Sequence, residues 1–274
     1  MNQPLITVVI TTYNSSPFIE KCLLSIKSQT YSNIEIIVVD ELMYDPVEQE
    51  KCKDIVQHYG ATYIKDGPER SINRNRGIKE AKGEFVLVLD QDMYLTPRVV
   101  EACYNKLTQE GLIAIVIPEI STGEGFWTKC VALDRYVSNV LEDSPNESCR
   151  FFRRLDALRI GGYDLNMIGI EDSDFHYRIM ALGKIGKIKE IINHDEGRIT
   201  FLGRLKKKYY YSKSLRRYLK QRPFVAVVQF FPIKLVYFKH PLVLMKQPLV
   251  TLGMFLLRGC EVTVGMLELI FKRD

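Results

Sequence analysis

The sequence lacks any paired-cysteine motif. Its six cysteines, Cys22, Cys52, Cys103, Cys130, Cys149 and Cys260, are scattered without a C-x-x-C unit. That spacing argues against a disulfide framework or a zinc site and points to reduced thiols in a cytosolic setting. No low-complexity stretch is present. No window reaches the roughly 18–20 clean apolar residues of a membrane-spanning helix. The runs 224–233 and 247–257 are too short, and Lys234, Lys239, Lys246 and Arg258 interrupt them. Met1-Asn2-Gln3-Pro4 lacks the basic start of a secretory leader, so none is expected. Residues 11–15, after the first apolar run, contain no glycine. A nucleotidyltransferase usually places a glycine-rich, basic phosphate loop there, and that reading is correspondingly weak.

What is present is ordinary for a folded chain: 274 residues, 46% hydrophobic and 26% charged. This is enough for one large domain, or one domain with a small appendage. The net charge of +5 conceals an asymmetry. Residues 1–200 hold 23 Lys and Arg against 30 Asp and Glu, whereas residues 201–274 hold 15 against 3. A basic tail beside an acidic body implies a polyanionic partner for the tail alone.

Residues 5–11 form a short β-branched run suited to a strand buried on both faces. Asn14, Ser15, Ser16 and Pro17 then supply capping residues for a helix over 18–28. Further strands are expected at 34–40, 62–65, 85–89 and 112–117. Helices are expected at 47–59, at 71–82 with Gly83 as its stop, and from Pro97 onward. This alternation predicts βαβ units and a mostly parallel sheet, with ligands beyond the carboxyl ends of the strands. Asp40, Asp90 and Asp92 fall at such ends. Beyond residue 118 the expected pieces are a helix over 126–141, a strand at 149–154, a turn at 161–164, a helix over 171–182 and a strand-like run at 184–192.

Several groups could carry chemistry. Asp90 and Asp92 could offer oxygens to a hard cation such as Mg²⁺, which binds one or two carboxylates plus substrate phosphates; turn aspartates are the plain alternative. Arg70, Arg74 and Arg76 could counter a diphosphate, and Asn73 or Asn75 could orient ribose or phosphate; a solvated helix start is the alternative. Glu171, Asp172 and Asp174 open a helix, where a carboxylate is stabilised as the anion. An ionised carboxylate there could act as general base for an alcohol, or simply cap the helix. His194 could complete a metal site or serve as an ordinary surface or core histidine.

Taken in order, these pieces resemble glycosyltransferase family 2, inverting enzymes of the GT-A fold. The resemblance covers roughly residues 5–200. It rests on the segments at 8–14 (VVITTYN), 36–40 (IIVVD), 74–77 (RNRG) with 81–83 (AKG), 89–92 (LDQD), 161–164 (GGYD) and on Glu171-Asp172. It implies an α/β class, a Rossmann-like, mostly parallel nucleotide-sugar-binding sheet, over residues 1–200. Residues 201–274 then form a C-terminal basic, apolar helical tail. Thr11, Tyr13 and Asp40 correspond to the base site, Arg74 to a nucleotide or phosphate contact, and Asp90 and Asp92 to the metal and donor motif. Asp172 corresponds to the catalytic base with Glu171 beside it, and His194 to a late histidine near the metal, which would be Mg²⁺ or Mn²⁺. The chain departs from the family after Asp40, where Glu41-Leu-Met-Tyr-Asp45 replaces an Asp-Gly-Ser-type turn. Uridine and guanosine donors therefore both stay open. A catalytically inactive scaffold of the same fold is the competing class, and the intact Asp90, Asp92 and Asp172 argue against it.

In the tail, Lys206-Lys207-Lys208, Arg216-Arg217 and Lys220 stand beside Tyr209–Tyr211 and proline-broken apolar segments. Cations and aromatics next to apolar segments suit a membrane interface. The expectation is peripheral or monotopic attachment to the cytoplasmic face of the plasma membrane through an anionic surface, with no nucleic-acid partner; packing of these segments on the rest of the chain is the alternative. Membrane docking favours a glycan or polyprenyl-lipid acceptor. Residues 121–146 are expected to shape the acceptor site, with Trp127 either a stacking surface or a core aromatic.

Overall fold

The computed structural model describes residues 3–14, 16–42, 45–141, 148–230 and 236–271. Ser15 of the capping run, Met43 and Tyr44 after Asp40, residues 142–146 of the expected acceptor stretch, and residues 231–234 of the first tail run lie outside the described residues.

In chain order the first elements are β1 (Ile6–Thr12), α1 (Ser16–Lys27), β2 (Ile34–Glu41), α2 (Pro46–His58), β3 (Thr62–Asp66), α3 (Arg70–Glu80), β4 (Phe85–Asp90), β5 (Met93–Leu95), α4 (Val99–Gln109) and β6 (Ala114–Val116). There follow β7 (Glu119–Glu124), α5 (Phe126–Arg135), β8 (Cys149–Arg153), α6 (Arg154–Arg159), α7 (Glu171–Met180), β9 (Ile185–Lys187) and β10 (Ile192–Arg198). The last are α8 (Phe201–Tyr211), α9 (Leu215–Gln221), α10 (Pro223–Phe230), α11 (Val236–Lys239), α12 (Pro241–Met245) and α13 (Pro248–Phe271). The chain forms two compact units. One is Met1–Pro118, Ser148–Leu165 and Asp174–Asn193; the other is Glu119–Glu147, Asn166–Ser173 and His194–Asp274.

The first unit is built on a seven-stranded sheet of order β3-β2-β1-β4-β8-β6-β9. Every residue of β1 is buried, as its unbroken apolar pattern requires of a central strand. β1 runs parallel to β2 and β4, and β2 parallel to β3. β8 runs antiparallel to both β4 and β6, while β6 and β9 are parallel. The sheet is thus mostly parallel. Alternate residues of β1 feed opposite faces. Ile6, Val8 and Ile10 join Ile19, Leu23 and Ile26 of α1 and Val99, Cys103 and Leu107 of α4. Val9 joins Ile78 of α3, Phe152 of β8 and Phe175 of α7.

Local signals explain several boundaries. Asp45 caps α2 by accepting from Val47 N at 2.9 Å, with Pro46 in the first turn. α3 ends at Glu80, two residues short of expectation, and Gly83 is not its stop. A Cβ on Gly83 would lie 2.6 Å from Thr7 N and 2.8 Å from Leu5 O, so glycine is needed there for close approach to β1. α4 starts at Val99, because Pro97 belongs to the preceding turn, where its carbonyl accepts from Thr30 N. The expected helix over 126–141 is α5 followed by one π-helical turn, Tyr136–Val140. His194 lies within β10 rather than after a strand.

In the second unit, β7 pairs with β10. α5 carries Cys130 and Leu133 into a small core with Val137, Tyr237 and Met254. Met167, Ile170, Leu215, Tyr218 and Ala226 form another. In the tail, α13 runs unbroken over 24 residues, and its segment Pro248–Leu267 is long and apolar enough to cross a membrane by length and composition. This corrects the expectation that no such window exists. Arg258 was counted there as an interruption, yet it lies inside the helix, where it and Glu261 are largely buried in ion pairs.

Candidate functional site

β1 organises the carboxyl rim of the parallel strands. Thr11 stands opposite Asp90 of β4, and Thr12 opposite Asp40 of β2. Two strands therefore deliver carboxylates to either side of one strand end. Asp90 Oδ1 accepts from Thr11 Oγ1 at 3.3 Å and from Arg74 Nη2 at 2.8 Å, and Arg150 Nη2 lies 3.8 Å from Oδ2. Burial opposes ionisation of Asp90. The guanidinium groups of Arg74, Arg150 and Arg70 more than offset it and hold the carboxyl well below its usual range.

Arg74, expected as a nucleotide contact, has 0% exposure. Its guanidinium lies 5.1 Å from the Tyr163 ring, which stacks on Phe175 at 4.3 Å. In this geometry Arg74 is paired with Asp90. Arg76 lies 3.3 Å from Glu80 and 3.9 Å from Asp66. Asn75 clamps the glycine turn: its Nδ2 donates to Tyr163 O at 2.8 Å, and its Oδ1 accepts from Tyr163 N at 2.7 Å. Gly162, at φ 70, leaves room for that amide.

The residue between the two motif aspartates has its own task. Gln91 accepts from Tyr13 N at 2.6 Å and donates to Tyr13 O at 3.0 Å, which fixes the loop carrying the exposed Tyr13 ring. Asp40 is fully buried and accepts from Thr12 Oγ1 at 2.6 Å and from Tyr63 Oη at 2.5 Å. Beside it, burial and the charges of Glu69 and Asp40 push the Glu41 carboxyl up to about 7. Thr12, Tyr63, Asn75, Gln91 and Arg150 were not singled out from sequence for these contacts. Thr12, Asn75 and Gln91, inside recognisable motifs, had a local signal.

Arg70, Asn73 and Asp174 belong to the first unit, whereas Glu171, Asp172 and His194 fall in the second. Glu171 and Asp172 open α7, and Glu171 is buried. His194 Nδ1 lies 2.9 Å from Arg135 Nη1 and 3.4 Å from Glu119 Oε2. Arg135 also donates to Ser121 Oγ at 2.9 Å and pairs with Glu196 at 2.7 Å. Trp127 packs between Phe126 and Phe201, with ring centroids at 5.0 and 4.8 Å.

Among the described residues, no three His, Cys, Asp or Glu side chains gather closely enough to hold a metal ion. The donor chemistry at the rim still fits a hard divalent cation. Asp92 and Asp90 are carboxylates two residues apart, and Mg²⁺ takes its remaining ligands from substrate phosphates and water. Because Arg74 already engages Asp90, Asp92 is the principal protein donor in such an arrangement.

The profile described as Glycosyl transferase family 2 matches residues 7–163. The putative glycosyltransferase EpsH of Bacillus subtilis is 24% identical over 174 residues, 61% of this chain and 47% of that protein. A Campylobacter jejuni GalNAc(5)-diNAcBac-PP-undecaprenol beta-1,3-glucosyltransferase is 33% identical over 94 residues, 32% of this chain and 30% of that one. The chain spans less than half the length of the curated relatives it matches. In three dimensions it is similar to the mannosyltransferase PcManGT from Pyrobaculum calidifontis in complex with GDP-Man and Mn²⁺, with TM-score 0.69, 14% identity, and 99% and 89% of the two chains covered. It is also similar to S. aureus TarS 1–349 in complex with UDP-GlcNAc, with TM-score 0.56, 14% identity, and 93% and 90% covered. These likenesses establish the GT-A fold for the mostly parallel sheet described above. With its rim motifs inside the matched segment, the chain belongs to glycosyl transferase family 2.

Proposed function

We propose that the chain is an inverting glycosyltransferase. It transfers a sugar from a UDP- or GDP-sugar to a glycan or lipid-linked acceptor at the cytoplasmic face of a membrane. The observation that supports this most directly is the Asp90–Asp92 pair at the carboxyl rim of β4, with Asp90 held ionised by Arg74 and Arg150 inside the family-matched segment. Thr11, Tyr13 and Asp40 border the base pocket, with Asp40 acting through its bonds to Thr12 and Tyr63. Asp172 takes the proton from the acceptor hydroxyl as that oxygen attacks the anomeric carbon on the face opposite the diphosphate, which inverts the centre. Asp92 and Asp90 would hold the metal, and the family resemblance adds His194 as a further candidate. When bound, Mg²⁺ or Mn²⁺ would supply charge stabilisation to the leaving diphosphate. Nucleotide-sugar donors and a lipid-linked acceptor occur among the similar proteins. Residues 201–274 are the proposed membrane-association region.

A thermal-shift series with nucleoside diphosphates, with and without Mn²⁺, tests the donor half. A nucleotide at about 100 times its Kd adds about 2.7 kcal/mol, or roughly 5–10 °C at roughly 2–4 °C per kcal/mol. Asp92→Ala should lose the metal-dependent part of the shift. Asp172→Asn should keep the shift while transfer to a lipid-linked acceptor falls by about 10²–10⁴-fold. If no nucleoside diphosphate shifts the wild-type protein, the proposal is wrong.

A further inference from the structure

The polarity of α13 is inverted. Its two charged residues with described side chains, Arg258 and Glu261, sit on its inward face. Glu261 Oε1 lies 2.7 Å from Arg204 Nε of α8, and Arg258 Nη1 lies 3.8 Å from both Glu261 Oε2 and Asp134 Oδ2 of α5. Tyr237 Oη donates to the same Asp134 at 2.5 Å. Met254 and Leu257 are buried on this face too. The outward face is leucine: Leu249, Leu252 and Leu256 are 73%, 66% and 57% exposed, and Met266 and Leu267 continue the exposed stripe. At 100° per residue these outward side chains occupy one sector and the buried ones another. Leu242 and Met245 of α12 and Phe238 of α11 are exposed as well. A helix facing water shows the reverse arrangement, with charge outward and leucine inward.

We infer that α13 lies in the plane of an anionic bilayer, its leucine stripe in the lipid and its charged face locked on α5 and α8, rather than crossing the membrane. The inference rests on the membrane-association reading of residues 201–274. Charge selects this occupant over a second copy of the chain. Lys206, Lys207, Lys213, Arg217, Lys220, Lys239 and Lys246 are exposed in the same tail, and Glu261, the tail carboxylate whose side chain is described, is buried. Two such surfaces would repel each other, whereas anionic lipid complements them. Tyr209 and Tyr210, both exposed, suit the headgroup level. A spanning α13 would take Arg258 and Glu261 into hydrocarbon, away from Arg204 and Asp134 that pair with them.

The test uses the full chain and preformed vesicles of phosphatidylcholine with and without phosphatidylglycerol. Binding should need the anionic lipid, weaken with salt, and fall on the order of tenfold or more in Leu252→Asp/Leu256→Asp, whose changes lie on exposed positions and leave the melting curve unaltered. Depth is read by brominated-lipid quenching of a single tryptophan at 249, 256 or 267, each made on a Trp127→Phe background. An in-plane helix puts all three at one shallow depth, about 5–10 Å into the interface. A crossing helix puts residue 256 about 10 Å deeper than residue 249. That outcome overturns the in-plane inference and leaves membrane association standing. Absence of binding to any vesicle overturns both. A dimer in sedimentation that Leu256→Asp dissociates, with no vesicle binding, assigns the stripe to a second copy and likewise overturns the inference.

Discussion

The Arg74–Asp90 pair gives the sharpest quantitative test of the rim. Arg74 is wholly enclosed, and its Nη2 meets Asp90 Oδ1 at 2.8 Å. Removing one member of a buried pair costs about 3–5 kcal/mol, because the other charge stays buried and uncompensated. Arg150 at 3.8 Å remains beside Asp90, so Arg74→Met belongs at the lower end, about 3 kcal/mol. That corresponds to a fall in Tm of roughly 6–12 °C at roughly 2–4 °C per kcal/mol. Asp90→Asn should likewise cost about 3 kcal/mol by stranding Arg74. The double variant should cost well below the sum of the two, with a coupling of about 2 kcal/mol. The pH dependence has a definite sign. The folded carboxyl of Asp90 is depressed, so the stability it contributes is full above the unfolded value of about 3.9 and is lost as pH falls toward the folded value. Arg74→Met should blunt that acid-side loss. Urea melts between pH 7 and pH 3 measure both effects. Single effects that add to within about 0.5 kcal/mol, with an unchanged acid limb, would show that Arg74 does not hold Asp90.

Gly77→Ala places a Cβ onto Cγ1 of Val9 in the middle of β1 and 3.1 Å from its Cγ2; urea midpoints should report a loss of about 1–3 kcal/mol or more, and an unchanged midpoint would contradict the close approach. The Glu41 carboxyl is raised to about 7, so the folded state binds more protons than the unfolded one between about pH 4.3 and that value, and stability should fall as pH rises across this window. Glu41→Gln should flatten the fall, and an equally steep profile in the variant would place its origin elsewhere. Glu261→Ala strips Arg204 and Arg258 of a shared carboxylate; the cost is about 3–5 kcal/mol, read from the fluorescence of Trp127, which lies in the same unit. A variant as stable as the wild type would show that the ion cluster does not anchor α13.

Arg74 also shows where the sequence stops being legible. The alternation of β1 to β4 with α1 to α3 could be read directly, because strands buried on both faces and helices buried on one leave different periodicities. The carboxylates at strand ends followed from the same reading. The polar strands β7 (EISTGE) and β10 (INHDEGR) left no such trace, since their pairing is decided by contacts far apart in the chain. The extent of α13 was missed for a related reason: Arg258 looked like the end of an apolar run, and the partners that bury it and Glu261 lie far away in the chain, on α5 and α8. For Arg74, residue type and spacing suggested a phosphate contact or a solvated helix start, and neither announces the ion pair with Asp90. What brings the pair together is the approach of α3 to β1. Gly77, one helical turn beyond Arg74 and on the same face, has no side chain to hold the helix off Val9. α3 therefore settles against the sheet, and the guanidinium of Arg74 is carried to Asp90 at the rim. A small residue three positions away thus sets how closely the arginine approaches the carboxylate at the rim.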